Sequence, residues 1–214
     1  MKLSRKQKTI RNFLLAALLL FSWWVLTGMH AFTAGQALKW ETQQRGIKET
    51  PQILYRSAKD NYTRRVLFAA DGQVGFAQTE QAFLQAAARI YKIAPQERTV
   101  IFGTERLDTV YLVVYTQVPK AARAECTVTL CGIVNNNKIH DEIYPMTAEG
   151  NENGVFAFTM ERKGMPGEET AFWDFTNFLR DGRGDWDSRH TVALTFYDNM
   201  GNVLETYEKT FERK

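Results

Sequence analysis

Phe13 to Ala34 is a run of twenty-two residues without a single Asp, Glu, Lys or Arg, and it directly follows a tail holding Lys2, Arg5, Lys6, Lys8 and Arg11. A stretch this apolar leaves few folding options, because in lipid every backbone polar group has to be satisfied within the segment and a helix does that locally. At ~1.5 Å per residue the run reaches about 33 Å, enough for a hydrocarbon core of about 30 Å. Positive charge stays on the cytoplasmic side. The sequence therefore predicts a cytoplasmic tail over 1–11, a transmembrane signal-anchor helix over 12–34, and an extracytoplasmic remainder.

A cleaved signal peptide is the competing reading, with an apolar core from Phe13 to Leu26. Cleavage requires small residues at −3 and −1. Phe32 with Ala34 fails, Met29 with Ala31 is poor, and Gly35 with Ala37 lies far from the core. Trp23 and Trp24 would meet the outer headgroup zone of a retained helix. Retention is the expectation.

Charge limits the partners. The whole chain carries +3, and taking away the five basic residues of the tail leaves −2 on everything after it. That balance excludes the basic stripe expected of a nucleic-acid binder. The lipid bilayer is one expected partner, and an envelope protein or glycan is the other.

After the anchor, turn and period signals divide the chain in two. Over 35–105 they predict a small α+β module. Thr33 and Gln36 have capping-box spacing for a short helix from Ala34 to Arg45, stopped by Gly46. Tyr62 to Ala70 and Gln73 to Thr79 read as strands joined at Asp71-Gly72, the strongest short hairpin signal. Thr79 then looks like a helix cap, with Phe83, Ala87, Ile90 and Ala94 at helical spacing before Pro95. Arg98 to Thr104 closes the module as a strand. Over 106–214 the helical period fades. Strands are predicted at 110–118, 125–134, 138–146, 155–161, 191–198 and 203–211, at intervals of about ten residues, the signature of an all-β sandwich of Ig-like architecture.

Chemistry is harder to find. Ser4, Ser22, Ser57 and Ser188 are the only serines, no G-x-S-x-G elbow occurs, and His140-Asp141-Glu142 lacks a second histidine at ligand spacing. No catalytic residue, metal ligand or cofactor is assigned. Cys126 and Cys131 would lie about 16 Å apart on one strand, beyond the ~7 Å that a disulfide tolerates between Cα atoms, so both are expected to stay thiols.

The candidate binding residues are Trp173, Asp181, Asp185, Trp186 and Asp187. Phe172, Phe175 and Leu179 share a helical face that could plug the sandwich, which leaves Trp173 and Phe178 pointing elsewhere. Asp181, Asp185 and Asp187 with Gly182 and Gly184 have a composition that Ca²⁺ favours. They depart from the EF-hand pattern, and Arg180, Arg183 and Arg189 nearly cancel their charge. A salt-bridged loop carrying an indole is the better fit. The functional expectation is a membrane-anchored, non-catalytic binding or scaffolding module of the cell envelope. An envelope glycan hydrolase or a secreted binding protein is the alternative.

Overall fold

The computed structural model describes residues 4–26, 31–82, 85–106, 108–134, 137–164, 168–182 and 188–212. The first helix, α1, runs Arg5–Leu26. Ala31, Phe32 and Thr33 are not helical, and Ala31 is buried, with its carbonyl accepting from the Ala86 N–H at 3.2 Å. The expected span over 12–34 is therefore not one helix: its last residues belong to the folded body. Among the described residues no helix is long and apolar enough to cross a membrane. Lys6, Lys8 and Arg11 fall inside α1, and its described charge-free part, 12–26, is shorter than the ~20 residues that a span needs. Absence of charge over 12–34 signals apolarity and says nothing about continuity.

Helix α2, Ala34–Gln44, starts as the sequence predicts. The Thr33 hydroxyl accepts from the Gln36 N–H, the Gln36 side chain accepts from the Thr33 N–H, and Gly46 follows the helix at φ 83°. Its inner face rests on a four-stranded antiparallel sheet in the order β1-β2-β3-β4, with β1 Gln52–Arg56, β2 Thr63–Ala70, β3 Gln73–Ala82 and β4 Gln85–Pro95. Asp71 (φ 50°) and Gly72 (φ 67°) form the β2–β3 turn, where both central residues need the left-handed region.

The helix predicted from Thr79 to Ala94 is a strand instead. Thr79 is buried in β3 opposite Arg64, and β4 pairs with β3 along its length. A bulge at Phe76/Ala77 resets the alternation, so Ile90 and Ile93 face α2 while Tyr91 and Ala94 face the opposite way. Ala87 is exposed, so the apparent helical stripe never forms a face. Pairing to β3 outweighs the alanine-rich propensity of 86–88.

A middle sheet holds β5 (Thr99–Arg106), β6 (Thr109–Thr116) and β9 (Val155–Glu161) in the order β5-β6-β9. The strand at 98–104, read from sequence as the close of the first module, forms this sheet's edge. Val100, Phe102, Val113, Tyr115 and Val155 pack toward the first sheet. Their neighbours Ile101, Leu112, Val114, Phe156 and Phe158 pack the other way. Burial on both faces explains the near-continuous apolar runs of β5 and β6.

The third sheet has the order β11-β10-β7-β8, from β7 Arg123–Val134, β8 Asn137–Glu149, β10 Arg189–Tyr197 and β11 Val203–Glu212. Together the middle and third sheets enclose the largest core, and helix α3, Glu168–Asp181, packs into it. All paired strands are antiparallel, which makes the body mostly β with a sandwich at its C-terminal half. Cys126 points into this core and Cys131 sits at a β7 bulge. Both are thiols, and burial pushes the Cys126 thiol up to about 12.

Candidate functional site

Helix α3 organises the chemistry of this half. Glu168 and Glu169 occupy its first turn and Arg180 its last, charges that complement the helix dipole. Phe172, Phe175 and Leu179 are buried on one face, as predicted. Phe178 is buried too, which corrects the expectation that it faces outward: its ring packs edge-on against His190, 5.8 Å between centroids. Gly103 on β5 permits the close approach, since a Cβ there would sit 2.4 Å from Leu179 Cδ1.

Two buried polar anchors fix α3. At its start, Glu168 accepts from the Tyr144 hydroxyl and from the N–H groups of Lys163 (2.7 Å) and Gly164 (2.6 Å). Burial, and then the Glu168 carboxylate, push the Tyr144 phenol far above its ordinary value. Midway along, Asp174 is 1 % exposed and lies 3.0 Å from Nε2 of His190, itself 0 % exposed, while the Ser188 hydroxyl donates to the same carboxylate oxygen. These are the residue types of a hydrolytic triad in the wrong order. The serine donates to the carboxylate, whereas in a hydrolytic triad the hydroxyl faces the imidazole that takes its proton. The cluster ties α3 to the start of β10.

The outward side of α3 forms a cleft of about 350 Å³ with β4 and β5. Arg89 and Tyr91 come from β4, Glu105 from β5, and Trp173, Thr176, Asn177 and Arg180 from α3. Trp173 is 44 % exposed. Arg180 Nη2 donates to Asn177 Oδ1 at 2.7 Å and pairs with Asp181 at 2.8 Å, and the Tyr91 hydroxyl donates to Gln78 at 2.7 Å. Partial burial raises Glu105 above the ordinary carboxylate range, against the opposing hydrogen bond from the Thr176 hydroxyl at 3.3 Å. Nearby, Lys92 donates to the Leu179 carbonyl at 2.8 Å and is held below its usual value by burial and by Lys209. An aromatic face amid guanidinium, amide and carboxylate groups suits a polar ligand with an apolar side.

Of the predicted binding residues, Trp173 lines the cleft. Asp181 is exposed at the end of α3, bound to Arg180 and outside the cleft lining. Asp185, Trp186 and Asp187 lie outside the described residues. Among the described residues no group of three potential metal-ligating side chains converges. Arg89, Tyr91 and Glu105 escaped the sequence reading because they come from strands far away in the chain. Asp174 left a readable trace, an acid within the 171, 175, 178 stripe of an otherwise apolar helix face.

No protein-family model matches the chain, and comparison with curated proteins finds no significant relative.

Proposed function

We propose that this chain is a membrane-anchored, non-catalytic binding module of the cell envelope, with its basic tail in the cytoplasm, its body outside, and its ligand taken in the α3 cleft. The observation that carries the reading is Trp173, an exposed indole set beside Arg89, Asn177, Arg180 and Glu105 in one concavity. Aromatic stacking plus planar hydrogen-bonding groups is the chemistry that retains a sugar ring or a polar peptide. Glycan hydrolysis needs two placed carboxylates, and Glu105 is the only one lining the cleft among the described residues, which favours retention over cleavage. The C-terminal half fits an Ig-like sandwich, a frame that presents ligands at its ends.

Anchoring has separate support. Phe13, Leu14, Leu18 and Leu19 are all exposed and lie on several sides of α1, so the described body does not cover them. A helix apolar all round belongs in a membrane or an interface. Cleavage after Ala37 would cut inside α2, removing the Thr33 cap and a buried alanine, so a secreted form cut there would start with a broken helix.

The test is to present full-length protein, in detergent micelles, to arrays of envelope glycans and peptides. Saturable retention of an intact ligand, lost in Trp173→Ala, supports the module. Release of a shortened glycan would make the chain a hydrolase instead.

A further inference from the structure

A second concavity, of about 380 Å³, lies on the opposite face of the first sheet, between the start of α2 and strands β1, β2 and β3. Its floor is apolar, with Leu38, Ile53 and Val66. Arg56, Lys59 and Arg64 line it as well, and no carboxylate does. Strand register explains the clustering. Arg56 pairs opposite Val66, and Arg64 stands two residues before Val66, so both guanidinium groups rise on the face of the sheet that meets α2. Among the described residues none of the three cations forms an ion pair. Two neighbouring acids are engaged elsewhere: Asp60 pairs with Arg106, and Glu80, opposite Thr63 in the β2–β3 pairing, accepts from Gln78 at 3.1 Å.

We propose that this pocket binds a phosphate-type oxyanion. Three like charges held together without a counter-ion repel one another, and a shared anion turns that repulsion into attraction. Guanidinium forks match phosphate oxygens in a bidentate way, and the apolar floor accommodates the carbon side of a phosphate ester. The N-terminal donors of α2 are largely occupied by the Thr33/Gln36 capping box, so the cations supply the binding. The inference stands apart from the α3 cleft. Two sources offer this chemistry, a soluble phosphate and an anionic lipid headgroup. Thr33 lies seven residues after the end of α1 at Leu26, a reach of at most about 25 Å, so headgroups are within range of an anchored body.

The experiment is titration of full-length protein, in a zwitterionic detergent, with inorganic phosphate, dihexanoyl phosphatidylglycerol and dihexanoyl phosphatidylcholine, followed by ³¹P NMR line broadening. Saturable binding of phosphate and phosphatidylglycerol identifies the oxyanion itself as ligand. Binding of phosphatidylglycerol alone identifies the headgroup. In either case Arg56→Gln/Arg64→Gln weakens binding by about tenfold or more, Lys59→Gln weakens it less, and Arg89→Gln, on the opposite face of the sheet, leaves it unchanged. Circular dichroism melting checks that each variant is folded. Absence of binding by both anions, equal binding of phosphatidylcholine, or full binding by a folded double variant would overturn the proposal.

Discussion

Helices α1 and α3 both carry long apolar side chains, yet those of α3 are mostly buried and those described in α1 are exposed. In α3 the apolar residues form a stripe, and Phe172, Phe175 and Leu179 vanish into the sandwich core. In α1 they have no preferred side, and Phe13 is 75 % and Leu19 70 % exposed. The difference teaches that apolar content alone does not assign a helix to a core. A stripe matches one protein surface, whereas a cylinder apolar all round needs a solvent that is apolar on every side. Charge placement follows the same division: α3 bears acids at its start and a base near its end, while the charges of α1 are all basic and gathered in its first half.

The contrast is broken most directly by removing residues 1–26. Membrane association, measured by carbonate extraction and fractionation, should fall from nearly complete to background. Retention of the shortened chain in the membrane would show that the body itself carries the affinity.

Next in size is a pair of substitutions. Phe175→Ala removes a fully buried ring and is expected to cost about 3–5 kcal/mol in urea unfolding. Leu19→Ser on α1 should change body stability by less than about 0.5 kcal/mol. Comparable losses from the two would mean that α1 packs on the body after all.

Asp174→Ala probes the polar side of the same helix. It deprives His190 and Ser188 of a shared acceptor inside the core, with an expected loss of about 2–4 kcal/mol. A near-neutral result would mean that α3 is held by its apolar stripe alone.

Smaller effects belong to the outward face. Trp173→Ala should cost under about 1 kcal/mol while abolishing ligand retention. A large loss of stability would instead make the indole a core residue.

The smallest effect concerns Glu105. Its carboxyl titrates above the ordinary range because burial disfavours the charged form. The penalty is therefore absent at acid pH, where the group is neutral, and fully present once pH exceeds its raised value. Glu105→Gln should raise the melting temperature by about a degree at pH 7 and leave it unchanged at pH 4. A melting temperature that drops at pH 7 would mean that the contacts with Thr176 and Arg162 outweigh burial.

Local signals carried much of the fold. The capping box of Thr33 and Gln36, the Asp71-Gly72 turn and the alternating strands from β6 to β11 are written in residues close together in the chain, where sterics and short-range hydrogen bonds decide the outcome. The plug formed by Phe172, Phe175 and Leu179 was legible for the same reason, and Trp173 could be named as its outward neighbour.

Long-range pairing decided the rest. Residues 85–95 have helical composition and spacing, and only the partnership with β3 makes them a strand. Phe178 turns inward because β10 brings His190 to meet it. The α3 cleft joins Arg89, Glu105 and Trp173 from three elements, and the basic pocket joins Arg56 and Arg64 through a β1–β2 register. The amino-acid sequence by itself determined the caps, the turns, the apolar faces and the basic-then-apolar start. Tertiary structure alone decided which polar side chains meet, because their convergence depends on strand order and register, and no short window of sequence encodes either.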